Sequence, residues 1–101
     1  MKGSFNKIIQ SETPVLIDFY ADWCAPCKML TPILKDVKQE LGDRIKIVKI
    51  DVDSNSNIAG RYQIRGVPTM ILFKRGEIRW RKSGVLPKDA LLQELRPLLE
   101  S

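Results

Sequence analysis

Between Val15 and Val52 the apolar residues of this chain change period twice, and few folds accommodate that change. Val15 to Tyr20 is a short apolar run, broken only by Asp18 and preceded by Thr13 and Pro14, and it suits a central strand covered on both faces. From Cys27 onward, Cys27, Leu30, Leu34, Val37 and Leu41 recur at alternating steps of three and four, which marks one face of a helix that Gly42 stops. Pro32 falls inside that helix without an amide hydrogen to donate, so a kink is expected there rather than a break. Ile45 to Val52 reads as a second buried strand. Strand, long helix and strand in this order predict a right-handed parallel crossover between neighbouring or nearly neighbouring strands.

The rest of the chain extends the same pattern. Ser54 and Asn55 offer caps for a short helix through Tyr62, and Gly66, Val67 and Pro68 form a turn into a third strand, Thr69 to Lys74. Arg75 and Gly76 make the two-residue tip of a hairpin leading to an antiparallel strand, Glu77 to Lys82. Pro87 suits the first position of a last helix whose face is Leu91, Leu92, Leu95 and Leu98, with Pro97 disturbing its final turn. The predicted class is α/β: a mixed four-stranded sheet with helices on both faces, in one domain over residues 1–101.

Several classes of function are excluded or disfavoured. Asp18 interrupts the longest apolar run, and Gln93, Glu94 and Arg96 break up the C-terminal leucines, so no segment is long enough to span a bilayer. The net charge of +5 invites a polyanion partner. Most of the excess, however, lies in Arg75, Arg79, Arg81 and Lys82, where Ile78 and Trp80 alternate with arginines as the inward positions of a solvated edge strand. No basic helix or aromatic platform accompanies this charge, so nucleic acid is not an expected partner. The chain has two cysteines and no histidine, which rules out a Ser/His or Cys/His nucleophilic site and removes the commonest metal ligand.

Chemistry concentrates where the first strand meets the long helix, in Trp23, Cys24, Ala25, Pro26, Cys27 and Lys28. Two cysteines three residues apart on a first helical turn bring their sulfurs within bonding range. Cys24 falls at or beside the N-cap, where free amides and the helix dipole favour a thiolate, so Cys24 is the expected nucleophile. Cys27 lies one turn deeper, is expected to be less exposed, and is placed to resolve a mixed disulfide on Cys24. A zinc site needs more ligands than the chain's two cysteines supply. A purely structural bridge closing so short a loop removes little unfolded-state entropy. Pro26 rigidifies the turn. Asp18 either faces solvent or is buried, and a buried carboxylate has its pKa raised and becomes a plausible base for the Cys27 proton. Lys49, on the second strand, tunes Asp18 if the two strands are adjacent; a merely solvated lysine is the alternative.

These residues together resemble the thioredoxin family from about Pro14 to Leu99. Asp18, Phe19, Tyr20, Ala21, Asp22, Trp23, Cys24, Ala25, Pro26, Cys27 and Lys28 are similar to its active-site stretch. Arg65, Gly66, Val67, Pro68 and Thr69 are similar to its second signature loop, and Gly76 and Gly84 fall where the family has glycine. The resemblance implies a cis Pro68 lying against the dithiol, with the Val67 backbone free to pair with an extended substrate. It implies substrate contacts at Trp23, Ala25, Pro26, Gly66, Val67, Pro68 and Gly84, with Asp18 as the buried carboxylate assisting Cys27 and Lys49 as its charged neighbour. Three departures stand out. Ala-Pro replaces the usual Gly-Pro, Tyr20 replaces a common Trp, and the N-terminus is too short for the family's first strand. A helix near Phe5 to Gln10 and four strands rather than five are therefore expected.

The implied activity is disulfide reduction by dithiol exchange, with the Cys24–Cys27 pair as the redox group and no bound cofactor. Neither middle residue is the histidine that resembling oxidases and isomerases carry; an oxidase or isomerase, or a non-catalytic binding module, is the alternative. The implied partners are disulfide-containing proteins and an electron-donating reductase, and the chain is expected to be a monomer. The expected compartment is the cytoplasm, with the periplasm or secretion the alternative if a signal has been removed.

Overall fold

The computed structural model describes residues 2–100. The apolar run becomes β1 (Val15–Tyr20), with β2 (Lys46–Asp51) parallel on one side and β3 (Thr69–Lys74) antiparallel on the other. The strand β4 (Glu77–Ser83) closes the far edge antiparallel to β3, so the order is β2-β1-β3-β4. Around the sheet lie α1 (Lys2–Ile9), α2 (Ala25–Leu41), α3 (Ser56–Arg61) and α4 (Lys88–Leu99). The helix expected near Phe5 to Gln10 thus starts earlier and ends one residue sooner. The long helix α2 runs through Pro32 as a single element, and Gly42 ends it with a positive φ of 57° and an amide donated to the Lys38 carbonyl.

Alternation along β1 sorts the core into two layers. Leu16 turns to one face, where Leu30, Leu34, Val37 and Leu41 of α2 meet Leu91, Leu92, Leu95 and Leu99 of α4 over Met70 and Leu72. Val15, Ile17 and Phe19 turn to the other, against Phe5 and Ile9 of α1, Ile58 of α3, and Ile71 and Phe73. Each such buried aliphatic or aromatic side chain contributes about 1.5–3 kcal/mol of transfer free energy. Asp18 has the parity of Leu16, so it faces the α2 side of the sheet.

Four local expectations are corrected. The second strand is an edge rather than a buried element: Ile45 and Ile50 are buried, but Lys46 and Lys49 are exposed and Ile47 and Val48 only half-buried. Ile78 is 51% exposed instead of facing inward. The cause is a register shift, in which Leu72 pairs with Trp80 and Phe73 with Ile78, leaving Arg79 as the extra residue of a bulge that reverses the alternation. Pro87 is the N-cap of α4, not its first residue, and Leu99 rather than Leu98 completes the buried face, with Leu98 packed at its margin. The Arg75–Gly76 tip holds: both residues have positive φ, and a Cβ on Gly76 would stand 2.5 Å from the Gln10 side chain. The cations of β4 are spent within the molecule. Arg79 and Lys82 reach Glu77 and Glu94, and Arg81 donates to the carbonyls of Tyr62 and Gln63. No helix of the described residues is long and apolar enough to cross a membrane.

Candidate active site

Three chain segments converge at the C-terminal end of β1. The strand delivers Asp18 and Tyr20, the following turn delivers Trp23 and Cys24, and the loop before β3 brings in Val67. Cys24 is the N-cap of α2, with extended backbone, and its sulfur accepts the amide of Cys27 at 3.1 Å. Ala25, Pro26 and Cys27 form the first turn. Pro26 has no amide to leave unsatisfied, so the free amide of the third position goes to sulfur. The two cysteines are joined as a disulfide, with Cα atoms 5.3 Å apart. Both residues are equally buried, at 3% exposure, which corrects the expectation that Cys27 lies deeper. Surroundings rather than depth tell them apart. Cys24 Sγ lies 3.6 Å from the Val67 carbonyl oxygen, whereas Cys27 borders a hollow of about 80 Å³ with Tyr20, Ala21, Asp22, Lys28, Thr31 and Lys49.

Asp18 is completely buried, and neither of its carboxylate oxygens has a hydrogen-bond partner. Loss of solvent pushes its pKa from 3.8 up to about 6, and the Lys49 ammonium holds back part of that rise. Lys49 is its direct neighbour in the parallel register, as adjacency required. Its ammonium nevertheless bonds Thr31 Oγ1 at 3.1 Å and sits 4.4 Å from the centre of the Tyr20 ring.

On the other flank, the Val67–Pro68 bond is cis. The loop is pinned at both ends: Thr69 Oγ1 donates to the Gly66 carbonyl at 2.7 Å, and the Gly84 amide donates to the Pro68 carbonyl at 2.9 Å. Gly84 thus acts through the loop backbone, with a positive φ of 91°. Trp23 is 71% exposed and stands over a hollow of about 110 Å³ shared with Val52, Ile64, Arg65, Gly66 and Val67. Its indole Nε1 donates to Asp53 Oδ2 at 2.9 Å.

The family model for thioredoxin matches residues 1–97 of this sequence. The chain belongs to the thioredoxin family. Thioredoxin Y, chloroplastic, of Oryza sativa subsp. japonica is 48% identical over 99 residues, covering 97% of this chain and 59% of that protein. A thioredoxin of Rickettsia felis is 48% identical over 91 residues, with 89% of this chain and 87% of that protein covered. The crystal structure of mitochondrial thioredoxin 3 from Saccharomyces cerevisiae in its oxidised form matches with a TM-score of 0.85 at 33% identity, over 95% of this chain and 89% of that one. With a closed Cys24–Cys27 pair at the helix N-terminus of this thioredoxin fold, the chain is a thiol–disulfide oxidoreductase, and the disulfide is its redox centre.

Of the residues expected at the site, Ala25 and Pro26 share the first turn with the cysteines, and Val67 lies against Cys24. Lys49 borders the hollow beside Cys27, and Trp23, Gly66 and Val67 line the second hollow. Asp18 is buried on the α2 side of the sheet, and Gly84 bonds the carbonyl of Pro68. Sequence reasoning missed two that the structure adds, Thr31 and Asp53. Thr31 lies one helical turn beyond Cys27, a spacing that puts a hydroxyl in reach of the Cys27 carbonyl and was open to notice. Asp53 lies thirty residues from Trp23, with no local pattern linking the two.

Proposed function

We propose that this chain reduces protein disulfides, with Cys24 attacking and Cys27 resolving. The observation that carries the reading is the division around the dithiol: the backbone carbonyl of Val67 beside Cys24, and a buried carboxylate with no hydrogen-bond partner on the α2 side of the sheet, where Cys27 lies. In the first step the Cys24 thiolate attacks one sulfur of the substrate disulfide, and the other sulfur leaves as a thiolate that takes up a proton. Cys27 then gives its proton to Asp18 and attacks Cys24 Sγ. The Cys24–substrate bond breaks, the second substrate thiol departs, and two electrons have passed from the dithiol to the substrate. A carboxylate with a pKa of about 6 is mostly ionised at neutral pH, yet basic enough to accept that proton. A separate reductase restores the dithiol.

An extended substrate segment would lie along the Val67 backbone as an added strand, beside the exposed Trp23 indole. Turnover of insulin disulfides with dithiothreitol as donor tests the activity. Wild type is expected to turn over, and Cys24→Ser to lose all activity; a mutant that keeps it overturns the reading. Cys27→Ser should accumulate mixed disulfides through Cys24. Equilibration against a glutathione series tests the direction of electron flow, and a strongly oxidising poise would make the chain an oxidase instead.

A further inference from the structure

Thr31 and Tyr20 both contact Lys49, and neither contact serves the exchange steps described above. Thr31 Oγ1 faces two ways: it donates to the Cys27 carbonyl at 3.2 Å and accepts from Lys49 Nζ at 3.1 Å. The Tyr20 ring presents its face to the same ammonium, with the centroid 4.4 Å away. Lys49 is otherwise an exposed side chain on the edge strand, and among the described residues it has no ion pair with a carboxylate at contact distance. A free lysine there would spread its strongly hydrated charge over many rotamers. Two contacts from β1 and α2 instead hold it at the mouth of the small hollow beside Cys27.

We propose that Thr31 and Tyr20 are positioning residues, anchoring the Lys49 ammonium beside Asp18 so that its field reaches the carboxylate and helps it release its proton. The inference rests on the reading of Asp18 as the proton acceptor for Cys27. The strand β2 supplies Lys49 and Asp51, and β1 and its turn supply Tyr20 and Asp22. The helix α2 supplies Cys27 and Lys28 and, along the hollow it shares with Thr31 and Lys49, also Lys35 and Lys38. On β3 the neighbour of Asp18 is the apolar Met70, and Lys82, opposite Met70 on β4, is engaged with Glu94 at 3.7 Å. The face of α4 over this layer is leucine. The Lys49 ammonium favours the ionised carboxylate of Asp18, against the larger effect of burial.

The test is a titration of the Asp18 carboxyl carbon by NMR in the oxidised protein, where the cysteines do not titrate. Thr31→Val, which keeps shape and removes the hydroxyl, should raise the midpoint by roughly half a pH unit, and Tyr20→Leu by a similar amount. Thr31→Ser should restore the wild-type value. In a Lys49→Met background, which itself raises the midpoint, Thr31→Val should have no further effect. An unchanged midpoint in Thr31→Val, a fall instead of a rise, or a shift that persists without Lys49 would each overturn the anchoring role. The rate of mixed-disulfide resolution against pH, measured on the same variants, separates this inference from the reading beneath it. Midpoints that move as expected while the rate profile stays fixed would uphold the anchoring and sink Asp18 as the base.

Discussion

The two sides of the sheet are built from different materials and do different work. Beneath α1 and α3 the layer sets a ring cluster among isoleucines and a valine: Phe5 meets Phe73 edge-on, with centroids 6.0 Å apart, and Tyr62 packs on Phe5, Phe19 and Phe73. Beneath α2 and α4 the layer is almost wholly aliphatic, and on this side lies Asp18, the buried carboxylate among the described residues. Rings lock together by shape and quadrupole and leave no place for a group that must change charge. Asp18, with Met70 as its neighbour on β3, is withheld from solvent and has no hydrogen-bond partner, and this raises its proton affinity. Both sides carry hydrophobic core, and the side facing α2 and α4 gives up stability to keep an unpartnered carboxylate buried.

The aromatic side should break hardest. Phe73→Ala is expected to cost about 3–5 kcal/mol, read as a lower urea midpoint, while the dithiol of the remaining folded molecules reacts as before. Loss of dithiol reactivity at unchanged stability would erase the distinction between the sides. Asp18→Asn should act in the opposite direction. The carboxyl titrates at about 6 when folded against 3.8 ordinarily, so the unfolded chain ionises first as pH rises through that window and the native state loses ground. Above pH 6 the penalty is about 3 kcal/mol. The substitution should therefore stabilise the protein by up to about that amount at pH 7.5 and change little at pH 3.5. Equal effects at both pH values would show that ionisation of Asp18 carries no cost. It should also slow resolution by Cys27, and an unaltered pH profile would count against the base. The smallest effect is expected at the rim of the aromatic side, where Ile78→Thr should shift stability by no more than about 0.5 kcal/mol. A core-sized loss there would mean that the bulge at Arg79 does not turn Ile78 outward.

What could be read from sequence follows the range over which each signal acts. The three-and-four spacing from Cys27 to Leu41 was legible because every one of those residues is buried on a single helix face. The dithiol was legible because a helix N-cap, a first-turn proline and two sulfurs fall within four residues. The outward turn of Ile78 was not, since strict alternation predicts the opposite and only pairing with β3 reveals the extra residue. Nor was the exposure of β2, whose apolar composition says nothing of its place at the end of the strand order. Asp18 was legible as a residue worth explaining, but its burial depends on α2 folding back over the sheet. The contacts of Lys49 with Thr31 and Tyr20 join three elements, and no local pattern encodes them.

The open border of the sheet at β2 has a further consequence. Along its outer side every second peptide group is turned away from β1, a ready template for a strand of another molecule. Lys46 and Lys49 stand on opposite faces of that border, so a second copy arriving edge to edge would bring ammonium against ammonium above and below the new ladder. Acylation of Lys49 would therefore remove its pull on the Asp18 carboxylate and the charge on this border in one chemical event.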